Sequence, residues 1–122
     1  MSSRVLIVED EPNIVESLTF LLRREGYDVA SAADGDAALS SLRSHQCDVM
    51  ILDLMLPRLN GFEVLKTVRA DPAFASLRVL ILTAKGQAQD RRLAEDIGVD
   101  AFMTKPFANR DIVDAVRRLT GA

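Results

Sequence analysis

Apolar residues gather in five short runs along the chain: Val5 to Val8, Val29 to Ala32, Val49 to Leu52, Val79 to Leu82 and Ala101 to Met103. Each is too short for a helix and is bounded by polar or turn-forming residues, so each predicts a β-strand. Between the runs the period changes. Ile14, Leu18, Leu21 and Leu22 recur on one side of a helix whose first turn suits Pro12 and whose end suits Gly26. Helical spacing returns over Asp36 to Arg43, Gly61 to Ala70, Gln87 to Ile97 and Arg110 to Leu119. Asn60, with Glu63 three residues on, opens the second of these stretches like a capping box, and Gly98 stops the third.

Strand and helix therefore alternate strictly, and the strands read as apolar on both faces. That pattern implies a parallel sheet covered by helices on its two sides. Right-handed crossovers leave few topologies, among them the flavodoxin-like three-layer sandwich with strand order 2-1-3-4-5 and five helices. A length of 122 residues suits one domain with a core that needs no disulfide or structural metal. The domain is expected to fill residues 1–122, with no linker or second domain after Ala122.

Composition narrows the function. Hydrophobic residues at 48% and charged ones at 27%, without a low-complexity tract, exclude a disordered chain. No apolar run approaches the length of a membrane span, and MSSRVLIVED lacks the apolar stretch of a signal peptide, so a cytoplasmic protein with no membrane partner is expected. The net charge of −3 gives no footprint for nucleic acid, and Arg117 with Arg118 does not change that. The single cysteine, Cys47, reads as a small buried hydrophobe, and His45 as a solvated residue at a helix end.

In a parallel sheet the carboxyl ends of all strands lie along one edge, where ligands bind. Glu9, Asp10 and Glu11 follow the first strand, Asp53 the third, Thr83 the fourth, and Lys105 with Pro106 the fifth. Taken alone, Asp53 is a strand-end or capping residue. Beside the others it needs a different account, because burying an unpaired carboxylate costs at least several kcal/mol. Three carboxylates from Glu9, Asp10 and Asp53 at about 4 Å would repel by about 4 kcal/mol per pair at an effective dielectric of about 20. Lys105 supplies one positive charge, and a hard divalent ion such as Mg2+ suits the remainder. Such a site fits a phosphoryl group, with Lys105 and the ion over its equatorial oxygens, Thr83 donating a hydrogen bond, and Asp53 as the nucleophile that forms an acyl phosphate.

Glu9 with Asp10, ILDLMLPRLNG at 51–61, LTA at 82–84 and TKPF at 104–107 together resemble the receiver domain of two-component response regulators, in order and over essentially the whole chain. The resemblance implies that Asp53 accepts a phosphoryl group from a sensor histidine kinase or a histidine phosphotransfer protein, with Mg2+ required. It implies direct metal ligation by Asp10, Asp53 and the backbone carbonyl of Met55, with Glu9 acting through water. Glu9 stands where many members carry Asp, a change that keeps the charge. The chain would be a phosphoacceptor that assists its own phosphorylation and dephosphorylation, rather than an enzyme. The family also places a cis peptide between Lys105 and Pro106, which aims the amine over the site. Met55 and Lys85 flank the path of attacking water, and neither is an acid or amide, so slow hydrolysis is expected. Phe102 matches the family's switch aromatic, which turns inward when Thr83 meets the phosphoryl group. The output face, for an output protein or effector domain, would then include Arg91, Arg92, Asp100, Asp111 and Arg117. Winged-helix regulators dimerise through this face with an arginine of the last helix, at a position matched here to Ala115. The expectation is accordingly a monomer or weak dimer, with no direct nucleic-acid contact by this chain.

Two other readings use the same residues. Haloacid-dehalogenase-type phosphatases also employ an Asp nucleophile, but they need a second Asp two residues later, where Met55 stands, and their nucleophile follows the first strand. A phosphorylation-independent pseudoreceiver would lack part of the site, whereas every part is present here. A nucleotide or flavin site is disfavoured because Gly26, Gly35, Gly61, Gly86 and Gly98 are scattered and form no phosphate-cradling loop.

Overall fold

The computed structural model describes residues 3–84 and 86–121. Over them the elements run β1 (Arg4–Val8), α1 (Pro12–Arg24), β2 (Asp28–Ala32), α2 (Gly35–Ser44), β3 (Val49–Leu52), α3 (Gly61–Ala70), β4 (Arg78–Thr83), α4 (Ala88–Ile97), β5 (Ala101–Thr104) and α5 (Asn109–Thr120), with a 3-10 turn at Pro72–Phe74. The five strands form one parallel sheet in the order β2-β1-β3-β4-β5, the order expected from the sequence. Registers Val8 to Ala32, Val8 to Leu52, Leu52 to Ile81 and Thr83 to Thr104 bring the carboxyl ends of the strands into line.

Alternate residues of each central strand enter opposite cores, because successive side chains point to opposite faces of a sheet. Leu6, Val8, Met50, Leu52, Val79 and Ile81 pack with α2 and α3, including Val64, Leu65 and Val68. Val5, Ile7, Val49, Ile51, Leu80 and Leu82 pack with Leu18 and Leu22 of α1 and Ile112, Ala115 and Val116 of α5. Two buried faces explain the unbroken apolar runs of β1, β3 and β4. The edge strands depart from the expected pattern. Asp28, Ala30 and Ser31 of β2 are exposed, and no residue of β5 is fully buried. An edge strand has a neighbour on one side only, and the helices cover the centre of the sheet.

Local chemistry sets the helix ends. α2 begins one residue before Asp36, because the Asp34 carboxylate accepts the Ala37 amide at 2.8 Å. Asn60 caps α3 by accepting the Glu63 amide at 3.1 Å, but Glu63 turns to Lys66 at 3.7 Å, so only half of the expected capping box forms. His45 is exposed at the C-cap of α2 as expected. Cys47 is half-buried, less than expected; its thiol donates to the Val49 carbonyl at 3.1 Å, and burial pushes its pKa up to about 11.

The α4, β5 and α5 face carries contacts that the sequence did not show. Ala115, which stands where the resemblance expects an arginine, is packed in the core at 1% exposure with Ile112 and Val116. Asp100 is exposed, as expected, but its carboxylate is engaged in a polar clasp: it accepts the Val79 amide at 2.8 Å and pairs with Arg69 at 3.1 Å and Arg78 at 3.3 Å. Arg69 also donates to the carbonyls of Gly98 at 2.7 Å and Leu77 at 2.8 Å. One α3 side chain thus ties together the start of β4 and the turn between α4 and β5. Arg117 likewise turns to Glu25 of the α1 end, at 3.0 Å.

Arg69→Ala should lower the unfolding free energy by about 2–4 kcal/mol in urea denaturation, since charged hydrogen bonds are lost and two carbonyls and Asp100 lose a donor. Arg69→Lys should recover only part of it, because an ammonium group lacks the planar fork.

Candidate functional site

Glu9, Asp53 and Lys105 each stand just past the last paired residue of a strand and are still held by the sheet, and Thr83 is the last paired residue of β4. The amide of Glu9 donates to Ala32 at 3.0 Å, that of Asp53 to Val8 at 3.0 Å, and that of Lys105 to Thr83 at 2.9 Å. The loop after Asp53 is drawn tight: the Gly61 amide donates to the Leu54 carbonyl at 3.1 Å, and a Cβ at Gly61 would overlap the Asp53 carbonyl and Leu54. The backbone therefore fixes where the carboxylates point.

Glu9 is 3% and Asp53 4% exposed, whereas Asp10 is open to solvent. Carboxylate oxygens of the three lie within 4.8 Å of one another. The Lys105 amine donates to Glu9 Oε1 at 2.6 Å and to Asp53 Oδ2 at 3.0 Å, and it lies 3.7 Å from Glu11 Oε1. The other oxygens are also engaged. Glu9 Oε2 accepts the amides of Asp10 and Glu11, each at 3.1 Å, and Asp53 Oδ1 accepts the Met55 amide at 3.0 Å. Asp53 is buried and charged because a lysine and a backbone amide hold it.

Electrostatics follow from burial. Desolvation raises the pKa of Glu9 and the nearby Asp53 charge adds to this, against the lowering effects of Lys105 and the Glu11 amide. For Lys105 burial acts downward, but its bonds to Glu9 and Asp53 prevail and carry it above its ordinary 10.5. The pairing therefore stabilises the fold fully below that value and is lost as pH rises through the raised one. Three carboxylates against one ammonium group leave the cluster net negative. Its donors are hard oxygens, which suit Mg2+ or another hard divalent cation.

All the sequence-predicted residues stand along this one edge. The carboxylates of Glu9, Asp10 and Asp53 cluster together, and Lys105 pairs with Glu9 and Asp53. Thr83 is 0% exposed at the end of β4, between β3 and β5, and its carbonyl receives the Lys105 amide. Met55 contributes its amide to Asp53, and its side chain is 56% exposed at the rim. The peptide between Lys105 and Pro106 is cis, as expected. Lys85 lies outside the described residues. Sequence reasoning gave no role to Glu11, which touches the cluster through both its amide and its carboxylate. The run of three acids after β1 was the available signal.

Residues 5–117 match the family described as response regulator receiver domain. The chain is 40% identical over 119 residues to the alkaline phosphatase synthesis transcriptional regulatory protein PhoP of Bacillus subtilis, covering 98% of this chain and 49% of that protein. It thus spans about half the length of this relative. Among solved structures, a putative response regulator from Chloroflexus aurantiacus superposes with a TM-score of 0.93 at 31% identity, over 100% of both chains. The receiver domain of sensor histidine kinase PA1611 from Pseudomonas aeruginosa, described with a magnesium ion coordinated in the active site cleft, gives 0.90 at 28% identity over 100% of both chains.

Lys105→Met should destabilise the fold by about 3–5 kcal/mol, because it leaves Glu9 and Asp53 buried without their counter-charge. Adding Asp53→Asn should restore a large part of that loss. Urea unfolding of the two single variants and the double variant checks this; strictly additive losses would show that the cost lies in packing instead.

Proposed function

The chain belongs to the response regulator receiver domain family, and from that membership we propose that Asp53 accepts a phosphoryl group from a sensor histidine kinase or a histidine phosphotransfer protein in an Mg2+-dependent reaction. The observation that carries this reading is the Asp53 carboxylate, buried at a strand end yet joined to Lys105 at 3.0 Å beside two further acids. A carboxylate in that position is paired through both oxygens, with Lys105 and the Met55 amide, and sits at an edge where a phosphate can approach.

The transfer is written as a displacement. A carboxylate oxygen of Asp53 forms a bond to phosphorus as the bond from phosphorus to the donor's imidazole nitrogen breaks. The electron pair leaves with that nitrogen, and the product is an acyl phosphate. Lys105 is already placed beside the reacting carboxylate and pairs with the arriving phosphoryl oxygens, and the Thr83 hydroxyl at the neighbouring strand end donates to another. Asp10, Asp53 and the Met55 carbonyl would hold Mg2+, with Glu9 acting through water, and the hard oxygen donors of the cluster fit that ion. When bound, the ion neutralises charge on the phosphoryl oxygens. The side chain of Met55 carries neither an acid nor an amide that could orient attacking water, which favours slow loss of the phosphoryl group. The chain acts as the acceptor and assists its own turnover; it is not an enzyme acting on a separate substrate.

Phosphorylation adds negative charge and new acceptor oxygens at Asp53. Thr83 moves to meet them, Phe102 turns inward beside β4, and the surface of α4, β5 and α5 changes for an output partner. PhoP of Bacillus subtilis is named as a transcriptional regulator and is about twice as long, which favours a DNA-binding effector region or protein as the recipient here. The receiver itself makes no nucleic-acid contact. Among the described residues no helix is long and apolar enough to cross a membrane. We place the reaction in the cytoplasm, where a sensor kinase presents its phosphohistidine.

Acetyl phosphate with Mg2+ should add a single phosphoryl mass to the chain. The adduct should be absent from Asp53→Asn and in excess chelator. Labelling that persists in Asp53→Asn, or that ignores the chelator, would reject the assignment.

A further inference from the structure

α4 is fastened to the domain unlike its neighbours. α3 buries Val64, Leu65 and Val68, and α5 buries Ile112, Ala115 and Val116. α4 buries Asp90 and Ala94, and of these Ala94 joins the apolar core. Its carboxyl end is anchored by the Arg69 clasp on Gly98 and Asp100. Before its amino end, Gly86 lies so close to Thr104 that a Cβ there would overlap the Thr104 side chain. Thr104 and Phe102 are two residues apart on β5 and so face the same side of the sheet. Over Phe102 the cover is a cation: the Arg91 guanidinium carbon stands 5.5 Å from the ring centroid, and Arg91 Nε is 3.3 Å from Glu95 Oε2. The ring also rests against the core between the sheet and α3. One side of Phe102 is thus held by apolar packing and the other by a charge carried on α4.

We infer that Arg91 is a latch on Phe102: its guanidinium favours the half-buried ring position seen here and the present seat of α4, so the phosphorylation switch must break this contact. The inference rests on the reading of Phe102 as the switching ring. Turning the ring inward takes it from beneath the guanidinium and forfeits the attraction, with little apolar interlocking between α4 and β5 to replace it. Glu95 is the positioning residue, since it pins Arg91 one helical turn away on the same face. An exposed cation–π contact of this kind shifts a two-state population by about two- to fivefold. That is small enough for phosphorylation to overcome and large enough to set the resting state.

The test uses the unphosphorylated, Mg2+-free chain with labelled phenylalanine, the Phe102 signal being assigned by its loss in Phe102→Leu. In Arg91→Gln the Phe102 resonance should move toward the position it takes in the unsubstituted chain with Mg2+ and beryllofluoride. A soluble paramagnetic agent should relax the ring less, even though its cover has been removed. The beryllofluoride concentration for half conversion should fall by about two- to fivefold, as the lost contact requires. Arg91→Lys, which keeps the cation, should stay close to the unsubstituted chain. A Phe102 ring that keeps its position and is relaxed more strongly in Arg91→Gln is merely uncovered, and overturns the latch. The unsubstituted chain's response to beryllofluoride reports on the phosphoacceptor reading separately: if it is silent while the Arg91→Gln ring still turns inward, that reading fails and the latch stands.

Discussion

The Lys105 ammonium group lies between the carboxylates of Glu9 and Asp53, at 2.6 Å and 3.0 Å, and spans the strand end between β3 and β5 to reach them. Without that charge the two acids would stand almost fully buried at the ends of adjacent strands, a position that no apolar packing compensates. With it they can sit there, but the balance is incomplete. Asp10 and Glu11 add further negative charge at the open side, and a single lysine leaves the cluster anionic. The site is therefore stable enough to persist in the folded chain and charged enough to suit a hard cation and, on the proposed reading, a phosphoryl group beside it. Both properties come from one arrangement.

That arrangement depends on the strand order. Glu9 and Asp53 become neighbours because β1 lies beside β3, and Lys105 comes within reach because β5 closes the same side of the sheet. The backbone bonds from Glu9 to Ala32, from Asp53 to Val8 and from Lys105 to Thr83 extend the ladder by one residue at each end. The acids are consequently set by the rigid part of the domain, and the loops around them carry the variable groups, such as the exposed Met55. Positions fixed in this way suit a reaction in which little covalent chemistry is asked of the protein and most of the work is placement and charge.

The sequence revealed the centre of this structure better than its margins. β1, β3 and β4 are flanked by helices on both faces, so their apolar runs are unbroken and easily read. β2 and β5 lie at the edges, and their residues carry a weaker signal. The site residues were legible because each follows a strand in a parallel sheet, where topology alone decides which ends meet. Other features were hidden. Ala115 was read for the arginine it lacks, and its packing in the core with Ile112 and Val116 was not drawn from the helical period. Asp100 is the surface charge it was read as, but its pairing with Arg69, 31 residues away, was hidden because no local pattern pairs a helix end with a turn at that distance. Arg91 over Phe102 was invisible for a related reason: Arg91 was read as an output-face residue and Phe102 as the turning ring, and contact between them depends on how α4 lies across β5.

The fold thus links an acidic pocket at the sheet edge to an edge strand held by a lightly packed helix, and the excess negative charge in the pocket is the premise of everything downstream. Titration of Mg2+ into the chain, followed through the backbone amide resonances, addresses that premise most directly. The account predicts saturable changes centred on Asp10, Asp53 and Met55, greatly weakened in Asp10→Asn. Small shifts that never saturate and are spread over the exposed acids at large would contradict it.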